Sequence, residues 1–216
     1  MCGDPRKSGC TCDGVGRVSP FPPGLYGIAD ATYGDPVAIG AALHEAGCPV
    51  IQLRAKDWAT ADLTGAAKAL RTVCTRAKLI INDRVDVAAR IGADGVHLGQ
   101  DDCSALEARE ILGDSALIGL STHTLAQVND AAHVDYIGFG PIFGTQTKIQ
   151  AGTPLGTEQL AMAVQISQVP VVAIGGIDHS NLQRVQGTGV HSWAVIRALL
   201  GADSISAAVR QMEPHP

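Results

Sequence analysis

Aromatic residues are scarce in this chain: two Trp, three Tyr and three Phe make up 4% of its 216 residues. The core must therefore be aliphatic. No apolar run is long enough to span a bilayer, and the N-terminus lacks the apolar segment of a secretory signal. Positive charge is not in excess either. A formal net charge of -5 argues against a broad nucleic-acid-binding face. The six cysteines do not form a scaffold pattern. Cys2, Cys10 and Cys12 could chelate a metal, but no second half-site with zinc spacing follows them. Cys48, Cys74 and Cys103 are scattered through the body of the chain and read as small core residues. With no disulfide framework, a reducing cytoplasm is the expected compartment.

What is present points to one folded domain. Apolar residues make up 46% of the sequence, too many for a disordered chain, and the length suits a single sizeable core. Residues 1–23, rich in Gly, Pro, Ser and Cys, read as a poorly ordered tail, and residues 24–216 as the domain.

From Leu25 onward one unit recurs. A short β-branched apolar run ends in polar or glycine residues, and an Ala/Leu-rich stretch of helical period follows. Eight such runs occur: "LYGIAD", "PVIQLRAK", "KLIIND", "GVHLGQ", "LIGLST", "YIGFGPIF", "VVAIGGI" and "HSWAVI". Asp35 and Pro36 predict a helix start with Gly47 beyond its end. Thr60 opens another helix. Ser104 with Glu107 makes a capping-box signature closed by Gly113, and a short helix follows Asp83. The stretches after His123, Pro154, Ile177 and Ala202 complete the series. Eight strands alternating with helices imply parallel pairing. The fold class is α/β, a single-domain (β/α)8 TIM barrel. The rival is an open doubly wound sheet. Even spacing, and the lack of a Gly-rich fingerprint after the first strand, favour the barrel.

In a barrel, residues just past the strands' C-terminal ends meet at one mouth. Gln52, Arg54 and Lys56 alternate along the second strand and so share a side. Their charges suit an anion with several oxygens. Asn82 and Asp83 end the third strand, and Asp101 and Asp102 follow the fourth. Two carboxylates near one mouth suit a hard cation such as Mg²⁺; Asp83 supplies one, and Asp102 or Asp101 the other. Ser121 ends the fifth strand, with His123 just beyond it. "GPIFGTQTK" carries Thr145, Thr147 and Lys148 on a Gly-edged loop after the sixth. Gly175 and Gly176 follow the seventh, and Arg197 opens a short helical turn after the eighth. Loops seven and eight are the usual phosphate site of this architecture. His97 reads as a barrel-lining group; His44, His133, His179, His191 and His215 read as surface, cap or tail residues. The mouth therefore holds two anion sites, one with Mg²⁺, which suits joining two phosphorylated small molecules with diphosphate leaving. No nucleic-acid or membrane partner is expected, and the sequence is silent on a homo-oligomer.

"QLRAK", "IINDR", "GVHLGQDD", "IGLSTHT", "YIGFGPIFGTQTK", "VVAIGGI" and "RALLGADS" resemble, in order and spacing, the thiamine phosphate synthase family. The resemblance runs from about Leu25 to near the C-terminus. It implies the barrel, and the coupling of a hydroxymethylpyrimidine diphosphate to a thiazole phosphate (or its carboxylate) by Mg²⁺-assisted dissociative substitution. By the family pattern, Gln52, Arg54, Lys56, Asn82, Ser121 and Lys148 would contact the pyrimidine diphosphate, with Arg54, Ser121 and Lys148 serving catalysis. Asp83 and Asp102 would hold Mg²⁺. Thr145, Thr147 and Gly176, with backbone from Ile196 and Arg197, would bind the thiazole phosphate. Arg197 departs from the serine the family usually carries there. Two rivals share the barrel: a thiazole tautomerase using His123, and a non-catalytic barrel that binds thiazole or thiamine phosphate.

Overall fold

The computed structural model describes residues 21–144 and 153–213. Its strands are β1 (Gly24–Asp30), β2 (Val50–Arg54), β3 (Lys78–Asn82), β4 (Gly95–Leu98), β5 (Leu117–Thr122), β6 (Tyr136–Phe139), β7 (Val171–Ile174) and β8 (Ser192–Val195). Each pairs in parallel with the next, and β8 pairs back onto β1 through Gly24↔Ser192 to Gly27↔Val195, closing the barrel. That closure decides against the open sheet. Among the described residues no helix is long and apolar enough to cross a membrane.

The helices between the strands are α1 (Pro36–Glu45), α2 (Thr60–Val73), α3 (Val85–Ile91), α4 (Ala105–Leu112), α5 (Leu125–Asn129), α6 (Gly156–Ile166) and α7 (Leu182–Gln186); α8 (Arg197–Leu200) and α9 (Ile205–Gln211) follow β8. Local chemistry sets the clearest starts. Asp35 accepts the Val37 N–H at 3.0 Å ahead of Pro36. Ser104 and Glu107 exchange both halves of a capping box. Two helices are shorter than the apolar period predicts. Before α7, the Asp178 carboxylate accepts from the Ser180 N–H and hydroxyl, so "DHSN" forms a turn instead of a first helical turn. Helix α5 ends at its C-cap Asp130, and His133 beyond it adopts a left-handed φ of 63°.

Two apolar cores result. The outer one fills the space between strands and helices, with Leu43, Leu53, Leu70, Leu79, Ile81 and Phe139 fully buried. Burying each such side chain contributes about 1.5–3 kcal/mol. Cys48 and Cys74 belong to it as expected, whereas Cys103 is exposed just before the Ser104 N-cap of α4 and is not a core residue. His44, read as a surface or cap group, is instead buried in α1. The inner core fills the barrel: Phe21, Tyr26, Ile28, Val50, Ile80, Leu117, Tyr136, Val172 and Ala194. Phe21 falls within the span read as tail, yet it is 1% exposed and stacks on Tyr136 at 4.2 Å between ring centroids. Packing of the barrel therefore begins ahead of β1. Cys2, Cys10, Cys12 and His215 lie outside the described residues.

Candidate active site

At the C-terminal ends of β1 to β4, charged side chains interlock. Register sets Asp30 of β1 opposite Arg54 of β2. Arg54 Nη1 pairs with Asp30 Oδ2, and Asp30 is 1% exposed. Asp30 also caps the 3-10 turn Ala31–Tyr33 by accepting from the Thr32 N–H at 2.9 Å. The sequence expectations above do not include this carboxylate, although "LYGIAD" ends on it. The available signal was an acid at a strand end beside a strand end carrying an arginine. Asp30 fixes the guanidinium, which keeps a fifth of its surface open.

Lys56, just past β2, reaches across to Asp83 past β3, with Nζ 3.3 Å from Oδ2. Asp83 has a left-handed φ of 61°, rare for a residue with a Cβ. Its backbone N–H is anchored on the His97 carbonyl at 2.8 Å. Burial pushes the Asp83 carboxyl above its usual range; Lys56 opposes this, and the adjacent Asp102 carboxyl adds to it. Asp102 is itself positioned by accepting the Gly99 N–H at 2.7 Å. Of the two acids left open after β4, Asp102 is thus the one brought beside Asp83. No cluster of three or more metal-ligating His, Cys, Asp or Glu side chains occurs among the described residues. The two carboxylates still fit a hard cation that keeps several waters and takes its remaining oxygens from a phosphate. Such an ion would offset the repulsion that the pair now relieves through Lys56.

Gln52 and Ser121 sit deeper. Gln52 is 3% exposed and donates from Nε2 to Tyr26 Oη at 2.8 Å. Ser121 Oγ meets His97 Nε2 at 2.9 Å, and the Ser121 carbonyl accepts from Gln100 Nε2. His97 lines the barrel, as expected from its place in the strand. Asn82 pairs in register with His97 on the next strand. His123 is tied through Nδ1 to the Gly140 carbonyl at 2.6 Å.

On the opposite side, the turn after β7 is built against the chain leaving β6. Gly175 and Gly176 have φ of 101° and 64°, and a Cβ on Gly176 would lie 2.6 Å from the Gly144 carbonyl oxygen. Phe143 N–H donates to the Gly175 carbonyl at 3.0 Å, and Asn181 Nδ2 donates to the Gly176 carbonyl at 2.9 Å. Both glycines are therefore needed for the turn itself, whatever they bind. Thr145, Thr147 and Lys148 lie outside the described residues; the chain that leads to them, Pro141–Gly144, packs on this turn. Ile196 precedes α8, whose first residue is Arg197, as the short helical turn after β8 predicts.

The chain is similar to known proteins along most of its length. Residues 25–199 match the family model described as thiamine monophosphate synthase. The chain is 40% identical over 195 residues to the thiamine-phosphate synthase of Pelotomaculum thermopropionicum, covering 87% of this chain and 89% of that one. It is 42% identical over 170 residues to the thiamine-phosphate synthase of Chloroflexus aurantiacus, covering 77% of this chain and 78% of that one. Among solved structures, thiamine phosphate pyrophosphorylase from Pyrococcus furiosus superposes with a TM-score of 0.81 at 35% identity, covering 88% and 93% of the two chains. With its closed barrel and the charged ends of β1 to β4, the chain belongs to the thiamine-phosphate synthase family and is a transferase enzyme.

Proposed function

We propose that this enzyme joins 4-amino-2-methyl-5-(diphosphooxymethyl)pyrimidine to thiazole phosphate, or its carboxylate, giving thiamine phosphate and diphosphate, with Mg²⁺ at Asp83 and Asp102. One observation carries the reading: Arg54, Lys56, Asp83 and Asp102 gather at one end of the barrel, with Asp83 held in a strained backbone conformation between an ammonium and a second carboxylate. Strain of this kind persists only where surrounding structure over-determines it, and it concentrates at functional sites.

In this reading Arg54 and Lys56 grip the diphosphate, Arg54 through a planar fork and Lys56 as a point charge. Gln52, Asn82, Ser121 and Lys148 complete the pyrimidine side. Mg²⁺, when bound, neutralises charge that grows on the departing diphosphate. The bond between the pyrimidine's methylene carbon and the diphosphate oxygen breaks, its electron pair leaving with diphosphate. The thiazole nitrogen then donates its lone pair to that carbon. No protein nucleophile is needed, so the chain's task is to position both partners and balance charge. Thr145, Thr147, Gly176 and the backbone of Ile196 and Arg197 hold the thiazole phosphate.

The test mixes purified protein with both phosphorylated halves and follows thiamine phosphate and diphosphate. Equimolar formation of both products, abolished by chelation and restored by Mg²⁺, is expected. Metal-independent coupling would reject the Mg²⁺ site, and binding without coupling would reject the reaction.

A further inference from the structure

Five side chains from five strands form one unbroken hydrogen-bonded file through the inside of the barrel. Gln52 Nε2 lies 2.8 Å from Tyr26 Oη, which lies 3.0 Å from Tyr136 Oη. Tyr136 Oη lies 3.1 Å from His97 Nδ1, and His97 Nε2 lies 2.9 Å from Ser121 Oγ. Two proposed ligand contacts, Gln52 and Ser121, are thus its two ends. We propose that Tyr136, oriented by Tyr26, holds His97 in the tautomer protonated on Nε2, and so makes Ser121 present its hydroxyl proton to the mouth.

The direction follows from counting protons. The Gln52 amide nitrogen can only donate, so Tyr26 Oη accepts there, and among the described hydrogen bonds Tyr136 Oη is the acceptor left for the buried Tyr26 proton. The Tyr136 proton then goes to His97 Nδ1, which must accept. A neutral imidazole carries its one proton on the other nitrogen, and Nε2–H donates to Ser121 Oγ. With its oxygen accepting from below, the serine hydroxyl directs its proton elsewhere, toward an oxygen-rich ligand. Both phenols are buried, and burial raises their pKa values, so neither ionises in the working range and both keep the proton the file requires.

The strands leave room for this file at a specific place. Gly119 on β5 is register partner to both His97 and Tyr136. A Cβ there would fall 2.4 Å from Tyr136 Oη and 2.5 Å from His97 Nδ1. Only a missing side chain lets the phenol and imidazole meet. Below them, Phe21 stacks on the Tyr136 ring and closes the end of the barrel. Tyr26, Tyr136 and His97 are positioning residues in this account, acting through Ser121.

The functional half of the inference rests on the proposed contact between Ser121 and the pyrimidine diphosphate; the tautomer half does not. The experiment therefore has two arms on the full chain. Nitrogen-15 NMR of labelled histidine, with His97 assigned by the loss of its signal in His97→Gln, should show an unprotonated Nδ1 in the free wild-type protein. That pattern should weaken in Tyr136→Phe. Steady-state kinetics should show Tyr136→Phe raising KM for the pyrimidine diphosphate by about tenfold, the scale of one lost hydrogen bond. The double variant with Ser121→Ala should be no worse than Ser121→Ala alone. Tyr26→Phe, which keeps the Tyr136 hydroxyl, should shift both readouts in the same direction by less, and it carries the test if Tyr136→Phe does not fold. A protonated Nδ1 in the wild type means the file runs in reverse and overturns the proposal. So do additive kinetic losses. Failure of the synthase reading would instead appear as absent coupling with the tautomer pattern intact.

Discussion

Asp30 holds Arg54 from the neighbouring strand, with the carboxylate almost fully buried and the guanidinium partly open to the mouth. Asp30→Asn removes the charge that orients the guanidinium while keeping its volume. Breaking a buried pair costs about 3–5 kcal/mol when one charge is left uncompensated. Partial exposure of Arg54 reduces that cost. The expected result is a fall in Tm and a fall in kcat/KM for the pyrimidine diphosphate on the order of tenfold to a hundredfold from loss of orientation. Unchanged kinetics in a folded Asp30→Asn protein would show that Arg54 does not depend on Asp30.

Asp83 and Asp102 should act as a unit. Each single alanine variant is expected to lose activity by roughly a hundredfold or more and to need more Mg²⁺ for half-maximal rate. The double variant should lose little beyond the worse single one, since one metal site is broken once. Isothermal titration with Mg²⁺ in the presence of diphosphate reads the site directly. Full activity in the double variant would exclude these residues from metal binding.

Away from the mouth, Asp94 ties the start of β3 to α2. It accepts from the Leu79 N–H at 2.9 Å and from Arg71 and Lys78 at 2.6 Å and 3.3 Å. Burial alone would raise its pKa, but these partners outweigh it and the carboxyl sits below its usual range. The unfolded chain therefore takes up the proton first as pH falls. The stabilisation is fully present above the unfolded value of about 3.9 and is lost as pH drops through the lower native value. Asp94→Asn should lower Tm by several degrees at pH 7, from loss of roughly 1–3 kcal/mol of charge-assisted hydrogen bonding. The gap to wild type should narrow in acid. An equal gap at pH 7 and at pH 3 would remove Asp94 from the account.

Gly176→Ala would place a methyl 2.6 Å from the Gly144 oxygen at a φ of 64°. This should destabilise the fold by about 1 kcal/mol or more and displace the chain leading to Thr145. KM for the thiazole phosphate should rise more than KM for the pyrimidine diphosphate. Equal changes in both constants would count against a separate thiazole phosphate site on this side.

Arg197 stands where the family usually has serine. If its guanidinium adds to phosphate binding, Arg197→Ser should raise KM for the thiazole phosphate several-fold, on the scale of one charge-assisted hydrogen bond. A lower KM in the variant would show that the larger side chain crowds the site.

Much of the fold was legible because its signals are local. The Asp35–Pro36 and Ser104–Glu107 starts work through bonds spanning two or three residues. Strand ends carrying Arg54, Asp83 and Asp102 could be ordered along the chain, and barrel geometry supplied their convergence. Nothing beside Tyr26 and Tyr136 in sequence marks them, and Asp30 shows there only as an acid at a strand end. The two tyrosines meet across 110 residues, and Asp30 acquires its partner only when β1 and β2 take up their register.

The alternation of strands and helices, the helix caps and the chemistry at each strand end follow from residue type and short-range spacing alone. Which acid stands beside Asp83, which carboxylate steadies Arg54 and how hydrogen bonds run from Gln52 to Ser121 emerge only in the folded barrel. Those outcomes depend on strand register and on the space that Gly119 leaves open, and both are set by closure of the whole barrel rather than by any one segment.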